Sequence, residues 1–125
     1  MNIIVADTAG FCFGVNRAVN IVNKLLAVGK KVYTLGPIIH NKQMVDELAS
    51  QGVEIAEKPE DVINGATLVI RSHGVPLDVI DRINLLKIDY ANATCPFVSK
   101  IHKIVNEASK KGKRVLIAGD GNHPE

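Results

Sequence analysis

A chain of 125 residues with 46% hydrophobic residues has enough apolar material for a compact core. Its 15 Lys and Arg against 13 Asp and Glu leave a formal net charge of +2, too balanced for a phosphate-backbone binder, and 4% aromatics offer no base-stacking platform. No apolar run reaches the roughly 20 residues of a membrane span, and two Cys far apart in sequence point to a reducing, cytoplasmic setting instead of a disulfide framework.

Strand and helix signals alternate from the first residues. Asn2–Ala6 reads as a short apolar strand that runs into Thr8–Val15, where Cys12 lies between Phe11 and Phe13 with Gly10 and Gly14 one step further out. Val15, Ala18, Val19, Val22, Leu25 and Leu26 follow helical spacing up to Gly29. Lys31–Leu35 reads as a strand ending in the loop Gly36–Asn41, and Asn41 is suited to cap a helix through Gln51 with Met44, Val45 and Leu48 inward. Val53–Ala56 is a short strand signal and Pro59–Ile63 a helical turn. Thr67–Ile70 is a strand leading into Arg71-Ser72-His73-Gly74, and Pro76 opens a helix that buries Val79, Ile80, Ile83 and Leu86. Ile88–Ala91 leads to Thr94-Cys95-Pro96, with Thr94 as the expected cap of a helix burying Val98, Ile101, Val105 and Ala108. Arg114–Ala118 reads as the last strand and Gly119–Glu125 as the last loop. The repeated βα pattern predicts an α/β fold with mainly parallel strands. A final strand and Gly-rich loop without a following helix read as part of a longer protein.

On this reading the reactive residues fall on equivalent loops. Cys12, His40, His73 and Cys95 each follow a strand signal, and His123 with Glu125 follows the last one; His102 alone sits on a helix, where a solvated or half-buried role is expected. Carboxyl ends of parallel strands converge on one crevice in doubly wound sheets. Two thiols are soft ligands for zinc or iron–sulfur, and His40 and His73 beside Asn41, Arg71 and Ser72 could equally grip a phosphate. A Glu beside a His suits proton delivery. Taken singly, Cys12 fits a small buried hydrophobe and His40 a loop-closing residue; their convergence is what suggests a site. Three functions stay open at this level: a redox cluster enzyme, a zinc site built from Cys12, Cys95, His40 and His73, and a phosphate-binding module without chemistry. The zinc reading lacks the short ligand spacings of zinc modules.

Ala9-Gly10-Phe11-Cys12-Phe13-Gly14-Val15, Gly36-Pro37-Ile38-Ile39-His40-Asn41, Arg71-Ser72-His73-Gly74-Val75, Ala93-Thr94-Cys95-Pro96 and His123-Pro124-Glu125 occur in this order. The series resembles the 4-hydroxy-3-methylbut-2-enyl diphosphate reductases, the IspH or LytB family of non-mevalonate isoprenoid synthesis. The resemblance spans essentially the whole chain and the amino-terminal part of such an enzyme. It implies three α/β lobes around a 4Fe–4S cluster held by three Cys, with residues 1–13 as strand and Cys loop, 14–95 as the first lobe, and 96–125 as the start of the second. It implies an iron–sulfur oxidoreductase that removes the hydroxyl of an allylic diphosphate, giving isopentenyl and dimethylallyl diphosphate, with electrons from a donor such as ferredoxin or flavodoxin. By the same resemblance Cys12 and Cys95 are two cluster ligands, His40 and His73 bind the diphosphate, and His123 and Glu125 contact the hydroxyl and deliver the proton. The third Cys and the Ser and Asn diphosphate contacts would lie beyond residue 125, and 125 residues alone would be inactive. Asn92 stands where the family's Asp-Ala-Thr-Cys run has Asp, a departure expected to touch cap chemistry and not ligation.

Overall fold

The computed structural model describes residues 1–121. Four strands, β1 (Val32–Leu35), β2 (Glu54–Ala56), β3 (Thr67–Ile70) and β4 (Asp89–Asn92), form one sheet in the order β2-β1-β3-β4, and every pairing is parallel. Val32 stands opposite Thr67 and Leu35 opposite Ile70, while Ile70 on its other side meets Asn92. The central strands β1 and β3 are buried along their whole length, as expected of a parallel sheet covered on both faces. The edge strand β4 is partly exposed.

Successive side chains of a strand point to opposite faces, so each central strand feeds two cores. On one face Val32 and Val69 pack with Ala18, Val19 and Val22 of α1 (Phe13–Ala27) and Leu48 of α2 (Lys42–Ser50). On the other, Tyr33, Leu35, Leu68 and Ile70 pack with Ile83 of α3 (Leu77–Leu85) and with Ala56 and Ala66. A 3-10 turn at Pro59–Asp61 links β2 to β3, and α4 (Pro96–Lys110) follows β4. Asn41 caps α2 as the sequence predicts, its Oδ1 accepting from the Met44 amide at 2.9 Å.

This topology fixes where ligands can reach the sheet. β1 is followed by α2 on one face and β3 by α3 on the other, although β1 and β3 are neighbours. Chains that diverge from adjacent strands to opposite faces leave a crevice between the two carboxyl ends, the place where open α/β sheets bind ligands.

At the opposite, amino-terminal edge the charges are paired off. The Thr67 hydroxyl donates to Asp89 and Lys30 pairs with the same carboxylate at 3.2 Å, and together they hold it below its ordinary range. A cavity of about 550 Å³ opens there, lined by Lys30, Gly65, Lys87 and Asp89 among others. It contains no thiol or imidazole, and the crevice at the other end is the better candidate for chemistry.

Several expectations need correction. Asn2–Ala6 and Arg114–Ala118 form no strand: Ile3, Ile4, Val5, Leu116 and Ile117 are all exposed. A strand is defined by a ladder partner as much as by apolar residues, and no described segment pairs with either. Cys12 therefore follows an irregular segment and not a strand. The cap of α4 is Cys95 instead of Thr94, because Pro96 takes the first helical position. Along α4 only Val98 is buried, whereas Ile101 is 54% exposed, and in α3 the buried stripe ends at Ile83, Leu86 being 38% exposed. No helix among the described residues is long and apolar enough to cross a membrane.

Candidate functional site

His40 lies on the loop after β1 and His73 on the loop after β3, so the two imidazoles meet at the crevice mouth. Their ring centroids are 4.5 Å apart, with planes tilted by 46°. His73 is buried and His40 exposed. The pairing is enforced by the backbone, since the Ser72 amide and hydroxyl both donate to the Ile38 carbonyl, at 3.4 and 3.3 Å. Two neighbouring imidazoles at a crevice mouth suit an anion, to which a ring N–H can donate.

The same lacing continues to the second Cys. The Ala93 amide donates to the Ile70 carbonyl at 3.0 Å and the Cys95 amide to the Ser72 carbonyl at 2.8 Å, so Cys95 is tied to the residue beside His73. Cys95 caps α4 and Cys12 caps α1, and neither cap makes a side-chain hydrogen bond. Each sulfur thus stands at the partially positive end of a 15-residue helix, an environment that favours negative charge.

The two Cys loops are also held to each other. Arg17 of α1 donates through Nη1 to the Thr94 carbonyl and through Nη2 to the Asn92 carbonyl, both at 3.2 Å. At Gly14, two residues after Cys12, a Cβ would stand 2.7 Å from Cys95 Sγ, so the Cys95 sulfur rests on the first turn of α1. Asn92 accepts from the Thr94 amide through Oδ1 at 2.9 Å, which shapes the turn before Cys95 without capping α4 itself.

The structure thus joins His40 to His73, and Cys95 to both the His73 loop and the Cys12 helix. His123 and Glu125 lie outside the described residues. Among the described residues no group of three or more His, Cys, Asp or Glu side chains is arranged to hold a metal ion, so the four-ligand zinc site does not assemble. Two thiols at uncapped helix starts fit an iron–sulfur cluster as part of its ligand set. Sequence reading missed Arg17 and the closeness of Gly14 to Cys95, since the contacts join residues about 80 positions apart. It also left His102 outside the site, yet a Cβ on Gly74 would stand 3.0 Å from His102 Cε1, so this imidazole backs the His73 loop.

Comparison with known proteins places the chain in a family. The profile of the LytB protein family matches residues 3–125. The chain is 46% identical over 127 aligned residues to the 4-hydroxy-3-methylbut-2-enyl diphosphate reductase of Alkaliphilus oremlandii, an alignment that covers 100% of this chain and 45% of that protein. It is 40% identical to the reductase of the same name from Clostridioides difficile, again over 45% of the relative. A solved structure of (E)-4-hydroxy-3-methyl-but-2-enyl diphosphate reductase, the terminal enzyme of the non-mevalonate pathway, superposes with a TM-score of 0.82 at 42% identity, over 98% of this chain and 43% of that one. The E-1-hydroxy-2-methyl-but-2-enyl-4-diphosphate reductase of Plasmodium falciparum superposes with a TM-score of 0.87 at 30% identity, over 94% and 37%. The chain spans less than half the length of these relatives, in both sequence and structure, and it belongs to the LytB family.

Proposed function

We propose that this chain supplies the diphosphate-binding imidazoles and two of the cluster thiolates of a reductase acting on 4-hydroxy-3-methylbut-2-enyl diphosphate. The observation that carries the reading is the His40–His73 pair, 4.5 Å apart at the divergence of β1 and β3 and tied through Ser72 to Cys95. An anionic end of a substrate held by the imidazoles would leave its other end within reach of the Cys95 helix start. Cys12 and Cys95 would hold a 4Fe–4S cluster together with a third Cys beyond residue 125. When bound, the cluster would supply electrons and a Lewis-acidic iron for loss of the substrate hydroxyl.

The chain's own residues have narrower tasks. His40 and His73 donate to the diphosphate and fix the substrate's orientation. Arg17 holds the Asn92 and Thr94 carbonyls and so keeps the Cys95 loop on α1. Glu125, with His123, would deliver the proton that lets the hydroxyl depart as water. Electrons would come from a ferredoxin or flavodoxin, in the cytoplasm.

His73→Asn and His40→Asn test the binding half of this reading in a chain extended with the remaining part of a relative. A hydrogen bond to a charged group contributes about 1.5–3 kcal/mol, so KM should rise about tenfold or more while the cluster absorption stays intact. An unchanged KM together with lost iron would make these residues metal ligands and sink the diphosphate assignment.

A further inference from the structure

Arg71 stands beside the imidazoles with a buried donor that has no hydrogen-bond partner among the described residues. The Ser72 hydroxyl is committed to the Ile38 carbonyl, and the Asn41 carbonyl oxygen caps α2. The Arg71 side chain, by contrast, is half-buried, and its Nε is buried with no hydrogen-bond partner among the described residues. No carboxylate among the described residues pairs with it either, whereas Lys30, Lys31, Lys42 and Arg82 all have one. A buried N–H donor left without a partner is unfavourable, and an acceptor such as a phosphate oxygen would complete it.

Its position shows where that anion would be. Arg71 leaves the end of β3 two residues before His73 and lies across the end of β1, where a Cβ on Gly36 would stand 3.1 Å from its Nη1. Gly36 has φ +70, a left-handed conformation that suits Gly, and it begins the loop that ends in His40. Gly36 is thus the space into which the guanidinium folds, between the two loops that carry the imidazoles. An Arg fork matches phosphate geometry through parallel N–H donors, which an imidazole cannot do.

We propose that Arg71 is a cationic contact for the diphosphate beside the two imidazoles, seated in the gap left by Gly36. The proposal rests on the diphosphate reading of His40 and His73 and adds to it a residue that touches the same anion. A pair of imidazoles supplies single donors, while an Arg supplies a planar fork of N–H donors.

The test titrates inorganic pyrophosphate by calorimetry at low ionic strength onto the chain extended with the remaining part of a relative, alongside the same chain with His40→Asn, Arg71→Gln, Arg71→Lys and, as a surface control, Arg82→Gln. Arg71→Gln should weaken binding about tenfold or more, as expected for a lost charge-assisted bond. Arg71→Lys should recover part of the loss, because it restores charge without the planar fork, and Arg82→Gln should match the unsubstituted chain. Unfolding temperatures of the same variants show whether a loss of binding is a loss of fold. Should Arg71→Gln weaken the fold, Arg71→Lys decides: binding equal to that of the unsubstituted chain overturns the fork contact. If Arg71→Gln binds pyrophosphate normally while His40→Asn does not, the Arg71 proposal is wrong and the imidazole reading stands. If His40→Asn also binds normally, or the unsubstituted chain does not bind at millimolar pyrophosphate, both are wrong.

Discussion

Cys95→Ser, in a chain extended with the remaining part of a relative, is expected to abolish nearly all bound iron and acid-labile sulfide, and Cys12→Ser to do the same. A hydroxyl is a hard donor and a poor substitute for a soft thiolate toward iron–sulfur centres. The structure separates this effect from a folding defect. Neither sulfur fills the core, since Cys12 is exposed and Cys95 only half-buried. Cys95 is held by its backbone amide on Ser72 and by the Arg17 clamp on the residues before it, none of which needs the sulfur. The Ser variants should therefore unfold within a few degrees of the parent while losing the broad cluster absorption. Full iron content in either variant would reduce that Cys to a packing residue.

Gly14→Ala should produce a comparable loss of iron by a different route. Away from contacts this substitution stabilises a helix by about 1 kcal/mol. Here the new methyl would meet Cys95 Sγ at 2.7 Å and Cys95 Cβ at 3.0 Å, closer than side-chain carbons approach one another. Forcing extra volume into such a contact costs about 1–3 kcal/mol, which outweighs the propensity gain. The cheapest relief is to push the Cys95 sulfur off α1. Iron content should fall several-fold, more steeply than the unfolding temperature, because the displaced atom is itself the proposed ligand. A Gly14→Ala variant with full iron and a raised unfolding temperature would show that the sulfur has room to move, and the close approach would lose its functional meaning.

The parts of the fold legible in the sequence are those whose signals are local. Thr67–Ile70 was read to the residue, and β1 and α2 to within one, because an apolar run between polar turns and an Asn at a helix start act over a few positions. Asn2–Ala6 and Arg114–Ala118 carry the same apolar signal and form no strand. Propensity reports that a segment fits a sheet, whereas pairing depends on a partner strand elsewhere. The α4 cap moved from Thr94 to Cys95 for a reason of the same kind. Thr94 is drawn inward, buried with its methyl close to Gly74 and its carbonyl held by Arg17, while Pro96 fixes the first helical residue. At the site, the residue types suggested the proposed chemistry, and the strand order brings His40 to His73. The Arg17 clamp, the Gly14 contact and the seat of Arg71 on Gly36 were not legible, since each joins residues that only the folded sheet brings together.

The central claim is that Cys12 and Cys95 belong to an iron–sulfur centre beside a diphosphate site, and metal analysis tests it most directly. The chain extended with the remaining part of a relative should be purified and reconstituted without oxygen, then assayed for iron, zinc and acid-labile sulfide. The account predicts about four iron and four sulfide per chain, as for a 4Fe–4S centre, and no stable cluster on residues 1–125 alone, where two thiolates leave it under-ligated. Zinc without sulfide, or neither metal nor sulfide in the extended chain, would contradict it.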